Sequence, residues 1–235
     1  MLKKIGILLI TFQLTACAEL QNMAGTVLNE DTLSSADIAN GLKEALEIGI
    51  SQGSDALSVT DGYFKSPYKI LLPEEARKIM DKLQNIPGFS QVEDVILEKI
   101  NRGAEDAAKK AKPIFVDAIK SMDFHDAKGI LMGSNDAATQ YLNRTTHTKL
   151  YEEFNPVIVN SLNKFNAIKY WADAVNTYNK IPFVEKMNPS LDQYVTEQAL
   201  DGLFSMVEKE EYKIRTDISS RTSDLLRKVF AKQDN

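Results

Sequence analysis

SQVEDVILEKINRGAEDAAKKAKP, residues 90–113, decides the fold class. Val92, Ile96, Ile100, Gly103, Ala104, Ala107 and Ala111 return every three or four positions, the spacing that stacks side chains along one face of an α-helix. Ser90 with Glu93 reads as a helix start, and Pro113 resets the chain. The small residues Gly103, Ala104, Ala107, Ala108 and Ala111 predict a helix seated close against its neighbours.

The same grammar continues in both directions. Upstream, Ser34 or Ser35 opens a segment with Asp37 in capping position and Ile38, Leu42, Ala45, Leu46 and Gly49 on one face. Pro73 suits the first position of another, striped by Ala76, Ile79, Met80 and Leu83 and stopped by Pro87-Gly88. Downstream, Asp123 with Asp126 caps a segment that Gly133 closes, and Ser134 opens one through Ala138, Tyr141 and Leu142. Later segments are expected from Thr148 to Asn163 with Pro156 inside, from Asn166 to Tyr178, from Ser190 to Ile214 and from Ser219 to Lys232. No long period-two alternation occurs. The expectation is one compact all-α domain over residues 34–235, of about nine or ten helices, with any extended piece confined to residues 63–72. The Pro182 to Pro189 stretch is the candidate hinge.

Ahead of this body, Lys3 and Lys4 precede an apolar run from Ile5 to Phe12 and then Leu14-Thr15-Ala16-Cys17. A basic start, a short apolar middle and a small-residue cut site make a secretory signal, too short to span a bilayer as a mature helix. The single cysteine of the chain sits at the cut. This arrangement resembles the bacterial lipobox, in which the cysteine sulfur receives a diacylglyceryl group, the leader is removed and the new amino terminus is acylated. The resemblance implies a removed signal peptide over residues 1–16, a lipidated tether over residues 17–33, and Cys17 as the membrane anchor. Each buried methylene contributes about 0.8 kcal/mol, so two or more acyl chains hold firmly. Ala18 follows Cys17 where an aspartate tends to retain enteric lipoproteins at the inner membrane, so the expected place is the outer membrane, facing the periplasm.

Composition narrows the partners. The formal charge is -5, and losing Lys3 and Lys4 with the leader takes it to -7, which disfavours nucleic acid. With Cys17 lipidated no thiol is left for a disulfide or for thiol catalysis. His125 and His147 are the only histidines, no HExxH motif or paired cysteines accompany them, and they are expected on helix surfaces. GxSxG, GxxxxGK[ST] and GxGxxG are absent, so neither the usual hydrolases nor phosphate-cradling loops are indicated, and no cofactor is implied.

Three polar constellations remain. In Asn101-Arg102-Gly103-Ala104-Glu105, Arg102 and Glu105 could form an anion clamp beside an acid or base, or one more surface ion-pair ladder in which Arg102 meets Glu98 or Asp106. Gly133 to Tyr141 is a glycine turn into a polar helix start, where free amides with Thr139 and Tyr141 could bind an anion. The plainer reading there is a Ser134 cap with Asp136 answering the helix dipole. Glu210, Glu211, Arg215 and Arg221 contain a ready Glu211–Arg215 pair at four residues' spacing, and could share a cleft with Arg102 and Glu105. Trp171 and Tyr178 are expected to pack.

Taken in order, Asn101-Arg102-x-Ala104-Glu105, Asp126-Ala127 with Ile130-Leu131 and Gly133, Asp136-Ala137-Ala138-Thr139-x-Tyr141, Phe154 with Pro156, Asp201-Gly202-Leu203-Phe204, and Glu211 through Ile214-Arg215 to Arg221-Thr222 resemble the bacterial envelope family known as domain of unknown function 4197. The resemblance covers Leu33 to Phe230. It implies a secreted or lipid-anchored helical protein and, the family having no established activity, transfers no catalytic residue. Gly103 stands where members usually have alanine, which costs up to about 1 kcal/mol of helix propensity and permits closer packing. The expected role is a non-enzymatic binding or scaffolding lipoprotein, with the membrane and an unknown envelope protein or small ligand as partners. The alternative is an envelope hydrolase or transferase working through Glu105, Glu211 and the arginines.

Overall fold

A computed structural model of the chain describes residues 33–74, 76–77, 92–164, 166–180, 182–183, 185–188, 190–231 and 234, without the side chains of residues 92, 167, 170, 174, 177 and 178. The expected leader, the lipidated Cys17 and the tether up to residue 32 lie outside these, as does most of the segment expected from Pro73 to Leu83. The described residues hold eight α-helices and no strand. They are α1 (Ser35–Ser58), α2 (Val92–Ala108), α3 (Ala111–Ser121), α4 (Phe124–Leu131), α5 (Ala137–Asn163), α6 (Ala167–Tyr178), α7 (Leu191–Thr216) and α8 (Asp224–Phe230), with a 3-10 turn at Ile218–Ser220 between the last two. None of them is long and apolar enough to cross a membrane.

Among the described residues the count falls below nine or ten partly because the segment expected from Pro73 lies mostly outside them and partly because two expected segments are joined. The segments expected from Ser134 and from Thr148 are one helix, α5, whose buried residues Ala138, Leu142, Thr146, Leu150, Phe154, Ile158 and Leu162 recur at every fourth position. Such a row is a ridge that packs into the grooves of neighbouring helices, and α5 lies against both α2 and α7. In its threonine-rich middle Thr145 and Thr146 donate their hydroxyls back to the carbonyls of Tyr141 and Leu142, at 2.8 and 2.6 Å, which satisfies those hydroxyls within the helix.

Other boundaries shift by similar logic. Ala111 belongs to α3 rather than to the helix before it, because Lys109 and Lys110 form a turn and Pro113 sits in the first turn of α3, where a missing N–H costs nothing. The last helix starts at Asp224, capped by the Ser223 hydroxyl on Leu226 N–H, not at Ser219. Asp123 caps α4 as expected, accepting from Asp126 N–H at 2.8 Å.

Of residues 63–72, to which any extended piece was expected to be confined, 63–68 form turns and a bend. The chain straightens only near Ile70, and no strand pairs with it. Tyr63, Ile70 and Leu72 are buried. This connection therefore belongs to the core, and its backbone polar groups need partners from neighbouring helices.

Candidate functional site

Asn101, Arg102 and Glu105 supply those partners. The buried Asn101 amide stands in for a missing strand: its Oδ1 accepts from Ile70 N–H at 2.8 Å, and its Nδ2 donates to Ile70 carbonyl at 2.9 Å and to Leu97 carbonyl at 2.7 Å. Glu105 Oε1 accepts the N–H groups of Tyr63 and Phe64, both at 3.2 Å, while Oε2 pairs with Arg102 at 2.8 Å. Arg102 reaches on to Asp61 at 2.8 Å and to Glu98 at 3.6 Å, and its guanidinium lies over the Phe64 ring. Asp106 pairs instead with Lys109. The set is thus neither a surface ladder nor an open clamp; it latches the 61–70 connection onto α2.

Tyr63 carries the latch to α7. Its hydroxyl donates to Ala199 carbonyl at 2.6 Å, and burial beside Glu105 pushes its ionisation well above the ordinary tyrosine range. The ring lies flush on α7 because position 202 is glycine; a Cβ there would stand 2.9 Å from Tyr63 Cε1. Gly103 works similarly, bringing α2 close to α5, where an added Cβ would meet Ser161 Cβ at 3.2 Å.

Hydrogen bonds from Arg102 and then Lys65 hold the Asp61 carboxyl below its ordinary value of 3.8. Because the folded value is the lower one, this contribution to stability is complete above the ordinary value and is lost as pH falls through the depressed one. The stability difference between wild type and Asp61→Asn, measured by denaturant unfolding, is therefore expected to be constant from neutral pH down to about pH 5 and to shrink below about pH 4. A difference that does not change with pH would contradict the pairing.

The second cluster sits where three helices end. Glu211 on α7 accepts Ala138 N–H at 2.9 Å and both the N–H and hydroxyl of Thr139 at 2.8 Å, filling the start of α5. The anion expected at that helix start is therefore a carboxylate of the chain itself, and Ser134 is not the cap. Ser134 and Gln140 instead bond Asp136, which is half-buried and whose carboxyl they hold below its usual value. Arg215 pairs with Glu211 at 2.8 Å and donates to the carbonyls of Ile130 and Leu131 at 2.9 and 3.2 Å, closing the end of α4. Arg221, buried, donates to the carbonyls of Ile214 and Arg215 at 3.0 and 2.9 Å, closing the end of α7, and binds Asp234 through both terminal nitrogens at 2.7 Å. Carboxylate at a helix start and guanidinium at helix ends are the arrangement the helix dipole favours.

These residues do not share a cleft. Glu211 lies twelve residues beyond Ala199, about 18 Å further along α7. The void beside Glu211 and Arg215 has a volume of about 10 Å³, room for a single water at most. Tyr141 stands apart from both clusters, with Arg144 over its ring and its ionisation raised by burial and by Asp126 and Asp123. His147 bonds Glu197 at 3.2 Å and stacks on Phe204, while His125 is exposed.

An open groove of about 540 Å³ lies elsewhere, and sequence reasoning missed it. Tyr151 of α5, Trp171 of α6 and Tyr194 of α7 form its aromatic part. Glu185, Lys186, Asn188, Gln193 and Glu197 supply polar groups around them. Trp171, expected to pack, is half-buried here, and its Nε1 is covered yet has no hydrogen-bond partner; the Tyr178 side chain lies outside the described residues. The segment expected to hinge is tied down: Asn179 donates to Met187 carbonyl and accepts from Met187 N–H, both at 2.9 Å. Tyr194 hydroxyl donates to Leu71 carbonyl at 3.0 Å, joining the groove to the connection that Asn101 holds. The signal available beforehand was three aromatics on three amphipathic segments near a Pro-rich turn, which does not differ from ordinary core aromatics until the helices are placed.

Among the described residues no group of three or more His, Cys, Asp or Glu side chains is arranged to hold a metal ion. No curated protein and no solved structure matches the chain. The order of motifs that carried the resemblance, and the all-helical body built from them, agree with a family model spanning residues 32–231, so the chain belongs to the family described as protein of unknown function (DUF4197).

Proposed function

We propose that this chain is a non-enzymatic binding or scaffolding module of the bacterial cell envelope, anchored by lipid on Cys17. The observation that carries the binding role is the division of labour among its polar groups. The charged residues that could have served an acid–base reaction are consumed by backbone amides, backbone carbonyls and one another, while the 540 Å³ groove is open and lined by aromatic and hydrogen-bonding side chains. The anchor rests on the Lys3 to Cys17 leader and on Ala18, which together favour the outer membrane facing the periplasm.

Both parts are open to test. Mass spectrometry of the amino-terminal peptide is expected to find an acylated Cys17 in the wild type, and Cys17→Ser is expected to leave the membrane fraction; an uncut leader with unmodified Cys17 would remove the anchor. For binding, a photo-crosslinking side chain at Gln193 should give adducts in intact cells that the same probe at Lys109, exposed on the turn after α2, does not. Identical adduct patterns from the two positions, or none from Gln193, would contradict a binding role for the groove.

A further inference from the structure

Resting on the reading of the groove as a binding site, we infer that its ligand is a neutral glycan chain. A pyranose ring has an apolar C–H face and a rim of hydroxyls, each of which both donates and accepts. The groove offers the complement: the half-buried rings of Tyr151, Trp171 and Tyr194 for the faces, and the exposed Gln193, Asn188 and Glu197 for the hydroxyls. Its volume falls in the range of small-ligand sites and accommodates a short run of sugar rings.

Two further observations separate a glycan from other occupants. The Trp171 indole N–H is a donor only, and it is buried without an acceptor. A polyamine or other cation, attracted by Glu185 and Glu197, brings no acceptor to it, whereas a sugar hydroxyl does. A peptide bound in extended form needs a sheet edge, and the described residues contain no strand; a docked amphipathic helix needs a row of apolar sockets, and this rim is polar. Phosphate-bearing ligands meet two carboxylates and one lysine. Phe183, fully exposed at φ 65° on the segment that supplies Glu185 to Asn188, adds a free aromatic face close in sequence to the rim.

Because the N–H is covered in the free chain, meeting a hydroxyl requires the ring to tilt. Trp171 is the only tryptophan, so that tilt is readable in the emission of the whole protein. The test titrates the purified full chain with chitotetraose and with cellotetraose, following fluorescence and heat of binding, with spermine and an extended proline- and tyrosine-rich peptide in parallel. The expected result is a saturable emission change and heat with at least one glycan, at a Kd of about 1 mM or tighter, weakened about tenfold in Tyr151→Ala and without change in the far-UV spectrum of that variant. Trp171→Phe, followed by heat alone, should weaken binding several-fold by removing the donor while keeping a ring. Absence of heat and emission change with both glycans up to about 10 mM overturns the proposal. Saturable binding of spermine or the peptide in place of glycan also overturns it but leaves the groove a binding site, whereas silence toward every probe removes the site as well.

Discussion

Replacing Glu211 by alanine is expected to destabilise the chain by about 3–5 kcal/mol, a drop of about 6–20 °C in melting temperature for a domain of this size. The pair it forms with Arg215 is buried, the two side chains being 4% and 3% exposed. Removing one partner leaves the other charge without compensation, and it also strips the acceptor from the first amides of α5 at Ala138 and Thr139. Circular dichroism melts and urea titrations read the loss directly. Arg215→Met should cost less than Glu211→Ala, because the Glu211 carboxylate it leaves behind still accepts from the Ala138 and Thr139 amides and the Thr139 hydroxyl, whereas Glu211→Ala leaves a buried guanidinium with only two carbonyl acceptors. A Glu211→Ala protein as stable as wild type would mean that the pair does not hold α4, α5 and α7 together.

Glu105→Ala is expected to cost about 2–3 kcal/mol, chiefly because the amides of Tyr63 and Phe64 lose their acceptor inside the protein. The loss should be local as well as global. Amide exchange at residues 62–70 is expected to speed up well before the helices open, since Glu105 and Asn101 hold that connection to α2. Glu105→Gln keeps one acceptor oxygen and should lose less than half as much. Equal exchange rates in wild type and Glu105→Ala would contradict the latch.

The fold class was legible because it depends on period, which local sequence carries. The stripes at Leu42 to Gly49 and Val92 to Ala107 settle helix over strand without reference to any partner. Boundaries that depend on tertiary context were less legible. Nothing local says that Thr145 and Thr146 remain helical, because burial of the Leu142–Thr146–Leu150 row overrides their modest propensity. The polar motifs were visible as residues but not as roles. Glu211–Arg215 at four-residue spacing reads as a surface pair worth a few tenths of a kcal/mol until α4 and α5 are placed beside it. A signal did exist: a polar helix start at Ala137 to Thr139 that invites an anion, and an acidic residue elsewhere on a buried helix face able to serve as that anion. Matching such a demand to such a supply requires the topology. The groove was the least legible feature, since it is a gap between Tyr151, Trp171 and Tyr194 rather than a motif.

The two clusters and the groove lead to a single physical picture. Arginine and carboxylate side chains close helix ends and fasten a long connection, so they act within the protein, and under the proposed binding role the surface left for a partner is the aromatic groove. Groups arranged for a reaction behave differently, because a poised active-site charge is commonly a burden on the folded state, and its neutral replacement leaves stability equal or raises it. The double-mutant cycle Glu211→Ala, Arg215→Ala by equilibrium urea unfolding therefore tests the picture most directly. It predicts destabilisation by each single change and a coupling free energy of about 2 kcal/mol or more between them. A coupling near zero, with Glu211→Ala as stable as wild type or more so, would contradict it.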